Sequence, residues 1–424
     1  MLKPSIFSLL LAMTIGYWSC SAPSSSAEIE PSFQIKLPAE LADEALDGRL
    51  LVMLSTNTEN EPRFQISDGP GTQLAFGMNV ENWKPGTTIA FRPDTPGYPL
   101  VSMAEIPERE YQVQVLLHKY ETFERGDGHT VKLPMDRGEG QQWNRAPGNL
   151  LNTPQTLSIA GGQTYELTFA QVIDPIAPPK APVCVILVNI LSALLSFLCG
   201  RYTYLGAHIL LPKGWAAHPE VKYPLAIMHG HFPADFGGWR TEPADTTEPC
   251  VYSSRFQLDC YNRIVQQEAY DFYQAWTGDD FPRMLAIEIQ HANPYYDDSY
   301  AVNSENLGPY GDAITYELIP YIEEQFRGIG EGWARFVYGG STGGWEALAV
   351  QVLYPDDYGT CYAACPDPID FRAFCLTNIS KDKNAYYLES EFKQTEVAGR
   401  RDYLGNVSSS LQDMNQRELV LGTH

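Results

Sequence analysis

The pattern of hydrophobic and polar positions changes near residue 180 and predicts two parts of different structure. Before this point, short apolar stretches are separated by turn clusters such as Asp68-Gly69-Pro70-Gly71. In the stretch 111–117, Val113 and Val115 fall on one face. Alternation with a period of two is typical of strands that are buried on one side. Residues 28–176 are therefore predicted to form an all-β sandwich domain.

After a proline-rich linker at 174–182, apolar strands alternate with helical patterns. The continuous apolar stretches 223–228 and 283–289 predict strands that are buried on both faces, as in a parallel sheet. Residues 313–327 repeat apolar residues at helical spacing, and Pro320 predicts a kink or a later start of that helix. The order strand, helix, strand, turn, helix predicts an α/β domain over residues 177–424, with a mostly parallel sheet and flanking helices.

The segment 183–199 is apolar and has no charged residue. Its length is at the lower limit for a helix that spans a bilayer. The preferred interpretation is one or two buried strands with Asn189 at a turn, and a membrane span is the alternative. A span here would place the two parts of the chain on opposite sides of a membrane, which nothing else in the sequence requires.

The first 27 residues have the layout of an export signal. Lys3 precedes an apolar stretch from Ile6 to Ile15, and small polar residues follow. Cys20 stands where a lipoprotein signal carries its lipidated cysteine, although the residues before it fit that motif poorly. Lipidation of Cys20 and ordinary cleavage near Ala22 or Ala27 are both open. The expected location is the periplasm, the outer membrane as a lipoprotein, or the secreted fraction.

Composition excludes two classes of partner. The chain has 52 acidic and 29 basic residues and a formal net charge of −23. Nucleic-acid binding needs a basic surface that replaces the phosphate counterions, so no nucleic-acid partner is expected. The same charge opposes docking on anionic lipid. The cysteines match no zinc motif with histidines, and the pairs Cys250–Cys260 and Cys361–Cys365 are open alternatives for a disulfide.

The candidate chemistry is concentrated at Ser341. Residues 339–344 read Gly-Gly-Ser-Thr-Gly-Gly and match G-x-S-x-G between a predicted strand and a predicted helix. The turn from strand to helix is so tight that Gly339 and Gly343 must lack side chains. Ser341 is therefore predicted to be a nucleophile at a helix N-terminus, where backbone N–H groups stabilise a developing oxyanion.

The strand at 223–228 is followed by His229-Gly230-His231-Phe232. Because Gly230 lets the backbone turn, the N–H of His231 is predicted to form the oxyanion hole together with the N–H of Thr342. Each such donor contributes about 3 kcal/mol of transition-state stabilisation. In an alternative interpretation His229 or His231 is the general base. We favour it less because both histidines precede the serine, on the loop that usually builds the oxyanion hole.

These segments together resemble a known family. The strand with His229-Gly230, the segment Glu-Leu-Ile-Pro-Tyr-Ile-Glu at 317–323 and the turn at 339–348 are similar to the putative esterase family of α/β-hydrolases, which includes esterase D-like, feruloyl and acetyl-xylan esterases. The resemblance covers about residues 200–375. It implies a serine hydrolase with Ser341 as nucleophile, no metal and no organic cofactor. The preceding sandwich looks like an immunoglobulin-like accessory domain.

The acid and the histidine of a catalytic triad are not identified. This fold carries both after the serine, where His424 is the only histidine. It is the last residue, and because terminal residues are generally mobile, His424 is not favoured as the base. Asp367 and Asp370 are expected to shape a loop, and the alternative is that one of them orients a histidine. Residues 376–424 show no further clear strand. We therefore expect that the hydrolase part lacks its last strands and that this 424-residue form turns over slowly; a degenerate hydrolase is the alternative.

The preferred function is an exported carboxylic-ester hydrolase that forms an acyl-enzyme on Ser341 and acts on a small-molecule or glycan-linked ester. One alternative is a serine peptidase on the same fold, because G-x-S-x-G-G also occurs in relatives of prolyl peptidases. The other is a non-catalytic glycan-binding protein that uses the sandwich and aromatic residues of the second part, namely Tyr295, Tyr296, Trp239 and Trp276.

Overall fold

The computed structural model describes residues 31–136, 138–177, 184–233, 235–253, 256–374 and 376–422. The predicted export signal with Cys20 lies outside these residues, and so does His424. The interpretations given for them stay predictions.

The first part of the chain consists of strands and short 3-10 turns arranged in two sheets. The strands are β1 (Ser32–Lys36), β2 (Leu46–Ser55), β3 (Leu74–Trp83), β4 (Thr88–Phe91), β5 (Gly97–Tyr98), β6 (Arg109–Glu124), β7 (Thr130–Leu133), β8 (Leu150–Leu151), β9 (Gln155–Ile159), β10 (Thr164–Thr168) and β11 (Gln171–Val172). The smaller sheet has the order β10-β1-β4. The larger sheet has the order β11-β8-β6-β2-β3-β5, and β7 and β9 also pair with β6.

The two sheets share one hydrophobic core. Phe33 and Phe91 come from the smaller sheet, and Leu50, Phe76 and Val113 come from the larger one; all five are fully buried. Side chains alternate across a strand, so every second residue of these strands reaches this core. The opposite face of the larger sheet carries a second apolar cluster that includes Leu51 and Met53.

The second part combines a six-stranded mixed sheet with helices. Its elements are β12 (Val185–Ser192), α1 (Ala193–Cys199), β13 (Thr203–Leu210), β14 (Leu225–His229), α2 (Tyr261–Thr277), β15 (Leu285–Gln290), β16 (Asn303–Ser304), β17 (Gly308–Pro309), α3 (Tyr310–Ala313), α4 (Ile319–Phe326), β18 (Arg335–Gly340), α5 (Thr342–Leu353) and β19 (Thr360–Ala364). The sheet order is β12-β13-β15-β14-β18-β19. Strands β15, β14, β18 and β19 are parallel, and β12 and β13 are antiparallel additions at one edge.

The apolar segment at 184–199 differs from its prediction. It forms one strand followed by a helix, and Asn189 lies inside the strand opposite Gly206 instead of at a turn. The helix begins where it does because Ser192 caps it, with its hydroxyl 3.1 Å from an N–H of the first turn. Glu317 accepts two further N–H groups of that turn, each at 3.1 Å. Among the described helices, none is long and apolar enough to cross a membrane.

The helix predicted over 313–327 extends from Tyr310 to Phe326 and takes Pro320 without a break. Residues Ile314–Leu318 adopt π-helical hydrogen bonding between α3 and α4. Pro320 falls in the first turn of α4, where a missing N–H matters least. A π-turn changes which carbonyl meets which N–H, so the chain continues as a helix on both sides of the proline.

Residues 376–422 fold back onto the first part of the chain instead of adding strands to the six-stranded sheet. They form β20 (Tyr387–Glu389), β21 (Gln394–Glu396), β22 (Ala398–Arg401), β23 (Val407–Ser410) and α6 (Leu411–Leu421). Val420 and Leu421 of α6 are buried in the second cluster of the larger sheet. The guanidinium of Arg49 donates to two carbonyl oxygens at the end of α6, at 2.9 and 2.7 Å.

Tyr296 joins the two parts of the chain. It lies in the loop after β15, yet its side chain is only 3% exposed because it inserts into the cluster of Leu51 and Trp143. Its hydroxyl donates to Oε1 of Glu139 at 3.0 Å, and its ring centre lies 4.9 Å from that of His118. The loop after β15 is therefore anchored on the larger sheet of the first part.

This anchor predicts a graded loss of stability. Tyr296→Ala should lower the free energy of unfolding by roughly 3–5 kcal/mol, because truncating a buried aromatic leaves a cavity. Tyr296→Phe keeps the ring and removes only a hydrogen bond, so the expected loss is about 1–2 kcal/mol. Urea denaturation followed by tryptophan fluorescence measures both. Equal losses in the two variants would contradict an anchor made by the ring.

Candidate active site

Ser341 stands between the end of β18 and the start of α5. Its backbone angles are φ 56° and ψ −122°, a conformation that is strained for a residue with a side chain. Its N–H donates to the carbonyl oxygen of Ala364 at 3.0 Å, which fixes the turn to the neighbouring strand β19. The side chain is exposed, and its hydroxyl donates to Oδ1 of Asp367 at 3.2 Å. The turn thus presents Oγ at the carboxyl ends of the parallel strands.

Contacts between backbones explain which glycines the turn needs. A Cβ on Gly339 would lie 2.3 Å from the carbonyl oxygen of Gly343. A Cβ on Gly343 would lie 2.2 Å from the carbonyl oxygen of His229. Real Cβ atoms do not approach backbone atoms so closely. At Gly340, by contrast, the nearest atom to an added Cβ is 3.9 Å away.

The three glycines allow a matched comparison of the stability of Gly→Ala variants. Gly339→Ala and Gly343→Ala should each destabilise the protein by at least ~3 kcal/mol, because an atom is forced into a backbone that cannot yield. Gly340→Ala lies in the same turn and should change stability by less than about 1 kcal/mol. Thermal unfolding of the three variants measures this. Equal damage from all three would show that the close contacts are not the cause.

The other two predicted oxyanion residues lie at the same edge of the sheet. Thr342 is the first residue of α5, so its N–H is one of those that have no partner within the helix. Strand β14 pairs with β18 so that His229 lies opposite Gly339. His231 follows His229 by two residues, and Ser341 follows Gly339 by two. Both residues therefore lie just beyond the ends of two adjacent strands, at equivalent positions. The structure thus brings Ser341, Thr342 and His231 to one edge.

Asp298 is a site residue that the sequence analysis missed. Its Oδ2 lies 2.6 Å from Nδ1 of His231, and Asp298 is buried while His231 is half-exposed. The hydrogen bond to Asp298 raises the pKa of His231, with further help from the charges of Asp367 and Asp297. Burial raises the pKa of Asp298, against the effect of its bond to His231. The only sequence signal was the position of Asp297-Asp298-Ser299-Tyr300 just after a buried strand.

The charge on Asp298 should be visible in the titration of His231. Because the carboxylate stabilises the imidazolium, Asp298→Asn should lower the pKa of His231. The raised pKa stabilises the folded state fully below the unfolded value of about 6.5, and this contribution is lost as the pH rises through the folded value. Histidine-selective NMR measures the titration. Asp279→Asn, which removes an exposed carboxylate bound to Lys213, is the control and should leave it unchanged; an unaltered His231 in Asp298→Asn would contradict the pairing.

The two aspartates after β19 have different surroundings. Asp367 receives the hydroxyl groups of Ser341 and Thr342, at 3.2 and 2.8 Å. Asp370 is exposed and forms an ion pair with Arg372 at 2.8 Å. Asp367 therefore orients the side chains at the turn, and Asp370 shapes its own loop. Within the described residues, neither aspartate forms a hydrogen bond or an ion pair with a histidine.

His229, the other histidine considered as a base, is fully buried beneath the turn. Its Nδ1 lies 3.2 Å from Nε2 of His291. Nε2 of His291 also lies 3.4 Å from Oε2 of Glu346, a residue of α5. Burial lowers the pKa of both histidines and raises that of Glu346. A side chain enclosed in this cluster is unsuited to exchange protons with a substrate, which leaves His231 as the histidine of that alternative.

The cysteines resolve one of the open alternatives. Cys250 and Cys260 form a disulfide, whereas Cys361 and Cys365 are both free thiols. Cys361 lies inside β19 and Cys365 follows that strand. Of the two predicted pairs, Cys250–Cys260 is therefore the one that forms a disulfide.

Comparison with known proteins finds one family model that is similar to a segment of the second part. Residues 284–387 match the family model described as putative esterase, and this segment includes the turn at Ser341. The match confirms the resemblance that the sequence analysis stated. No curated protein matches the chain. The second part is thus similar to the putative esterase family over the segment 284–387.

Several solved structures are similar to part of the chain. A ferulic acid esterase shares 22% identity over 43% of this chain and 57% of its own, with a TM-score of 0.29. A ferulic acid esterase from Anaeromyces mucronatus shares 16% over 43% of this chain and 59% of its own, with a TM-score of 0.24. A fluorophosphonate-binding serine hydrolase from Staphylococcus aureus shares 16% over 54% and 68%, with a TM-score of 0.28. The chain spans a little over half of the length of the ferulic acid esterases.

Proposed function

We propose that the protein is a serine esterase that hydrolyses carboxylic esters through an acyl-enzyme on Ser341. The observation that carries the proposal is the exposed serine in a strained turn between β18 and α5, within the segment that matches the esterase family. A serine held at φ 56° and ψ −122° by contacts between backbones is costly to maintain. Such strain at the exposed edge of a parallel sheet is typical of a reactive residue.

In the proposed reaction, Oγ of Ser341 attacks the carbonyl carbon of the ester. The serine proton passes to a base, the alcohol leaves, and water then hydrolyses the acyl-enzyme. The N–H groups of Thr342 and His231 stabilise the tetrahedral oxyanion. Asp367 orients the hydroxyl of Ser341 before attack. The sheet is proposed to be the core of an α/β-hydrolase domain that follows an accessory sandwich.

Export is part of the proposal. The disulfide between Cys250 and Cys260 supports it, because structural disulfides persist in oxidising compartments. A signal over residues 1–27, with lipidation of Cys20 as an alternative to plain cleavage, would deliver the protein to the periplasm, the outer membrane or the medium. The proposed substrate is a small-molecule or glycan-linked ester.

Labelling by a fluorophosphonate tests the nucleophile. The wild-type chain should form a covalent adduct, and Ser341→Ala should form none, because the reagent traps only an activated serine. Ser158→Ala removes an exposed hydroxyl of the first part and should label like the wild type. An adduct that persists in Ser341→Ala would overturn the assignment.

Variants of His231 separate its two candidate roles. His231→Gln keeps the backbone N–H that is proposed for the oxyanion hole but removes the imidazole. If only the N–H acts, the variant should label within about tenfold of the wild-type rate, whereas loss of a general base lowers rates by roughly 10²–10⁴-fold. A loss of the second size would transfer the role of base to the pair His231–Asp298.

Slow turnover of this 424-residue form is also proposed. No histidine follows Ser341 within the described residues, so the proposed base of the usual triad order is not among them. The fluorophosphonate reports one covalent step, whereas p-nitrophenyl acetate reports complete turnover. Labelling with weak turnover supports this proposal, and fast turnover contradicts it.

The same substrates address the two alternative functions. Hydrolysis of p-nitrophenyl acetate without hydrolysis of an aminoacyl anilide favours an esterase over a peptidase. For the glycan-binding alternative, an aromatic platform must be open to solvent. Tyr296 and Trp276 are each only 3% exposed, so they serve as core residues and not as a platform.

A further inference from the structure

Three side chains that the proposed reaction does not use converge beneath the turn at Ser341. His229 ends strand β14, His291 follows β15, and Glu346 belongs to the second turn of α5. All three are fully buried. Nδ1 of His229, Nε2 of His291 and Oε2 of Glu346 face one another, with separations of 3.2, 3.4 and 3.9 Å.

These separations have the dimensions of a metal site. A circle through three points 3.2, 3.4 and 3.9 Å apart has a radius of about 2.0 Å, so one position lies about 2.0 Å from all three atoms. Zinc binds histidine nitrogen at roughly 2.0–2.1 Å and carboxylate oxygen at roughly 2.0–2.2 Å. Two histidines and one carboxylate form a ligand set that zinc and other first-row divalent metals accept.

The carboxylate of Glu346 lacks the hydrogen-bond donors that normally surround a buried carboxylate in a metal-free interior. Both carboxylate oxygens of Glu346 are buried without a hydrogen bond to any described residue, since the 3.4 Å approach to His291 is a contact and not an aligned bond. Buried polar groups are normally hydrogen-bonded, and a buried carboxylate without a partner is costly. A divalent cation at the equidistant position would satisfy Oε2 directly.

The orientation of His291 fits the same interpretation. Its Nδ1 lies 2.7 Å from Oγ of Ser299, and the N–H of Ser299 donates to the carbonyl oxygen of His291 at 2.9 Å. With Nδ1 donating to this hydroxyl, Nε2 carries its lone pair toward the cluster. Histidines that bind metals usually donate their second ring N–H to an oxygen in this way, and the partner fixes the tautomer.

We propose that His229, His291 and Glu346 bind one divalent transition-metal ion, with zinc the best match, and that Ser299 supports His291 from outside the site. The ion would fasten the ends of β14 and β15 to α5 directly under the nucleophile turn. Its role is structural, because the ligands are enclosed. The proposal goes beyond the esterase function and replaces the expectation from the family resemblance that no metal is bound. The competing state is a metal-free cluster, in which Nδ1 of His229 donates to Nε2 of His291 and Glu346 is protonated.

The first test uses the unaltered 424-residue chain, purified without a histidine tag from zinc-supplemented medium. Elemental analysis should find about one zinc per chain. Removal of the metal with dipicolinate should lower the melting temperature by several degrees, and stoichiometric Zn²⁺ or Co²⁺ should restore it. Less than about 0.1 metal per chain, together with a melting temperature that none of these ions changes, would overturn the proposal in favour of the metal-free cluster.

X-ray absorption of the zinc-loaded chain identifies the ligands without any variant. The expected first shell holds nitrogen and oxygen at about 2.0–2.1 Å, without sulfur at about 2.3 Å. This matters because Cys184, Cys199, Cys361 and Cys365 are free thiols that could collect zinc elsewhere. A first shell with sulfur would overturn the assignment to this cluster.

Variants then map the site. Ser299→Ala should weaken zinc affinity by about 10–100-fold while the ligands stay in place. Glu346→Gln and His291→Asn should bring the metal content below about a tenth of the wild-type value. His218→Gln removes an exposed histidine and should bind zinc like the wild type. If the two ligand variants do not fold, affinity in Ser299→Ala decides, and an unchanged affinity there overturns the proposal.

Discussion

The turn at Ser341 depends on a close approach of three backbone segments that only glycine permits. Gly343 touches the carbonyl group of His229, and Gly339 touches Gly343 in turn. Because of these contacts, the start of α5 lies directly against the end of β14, and Ser341 between the glycines adopts an unusual backbone conformation. The cost of that conformation falls on Ser341, whose φ of 56° is unfavourable for any L-residue with a side chain. The packing of the sheet against α5 must offset this cost. The conformation of the site therefore depends on the hydrophobic core of the second part.

The loop after β15 is anchored on the first part of the chain, and this explains how an irregular segment can position charged groups. Tyr296 fixes it to the apolar face of the larger sheet, next to the end of α6. Tyr296, Tyr300 and Ala301 all have positive φ angles, between 52° and 59°. Strained loops persist where the surroundings over-determine them. The first part of the chain therefore does more than accompany the second, because its surface holds the loop that carries Asp298, His291 and Ser299.

Sequence patterns were informative where the determinants are local. Gly339, Ser341 and Gly343 stand within five positions, and their spacing reflects a steric rule that can be read without coordinates. Continuous apolar stretches likewise predicted strands β14 and β15 to within two residues. Asn189 was misplaced because an exposed edge strand tolerates a polar residue that a buried strand would not. The caps on α1 come partly from Glu317, far along the chain, which no local pattern reveals.

The parts of the site that the sequence analysis missed are those built from distant segments. His231 meets Asp298 across 67 positions, and His229 meets His291 across 62. Glu346 carried a weak signal, as an acidic residue on an otherwise apolar stretch of helix next to the nucleophile motif.

The tripeptide His229-Gly230-His231 shows how one short segment serves two layers of the site. His229 is the last residue of β14 and faces the enclosed side under α5, where it meets His291 and Glu346. Two residues later the chain has left the sheet, and His231 lies at the open edge with Asp298. The charged groups near Ser341 are thus divided by depth. The upper layer, with the half-exposed His231, reaches solvent, whereas His229, His291 and Glu346 of the lower layer are fully buried beneath the turn.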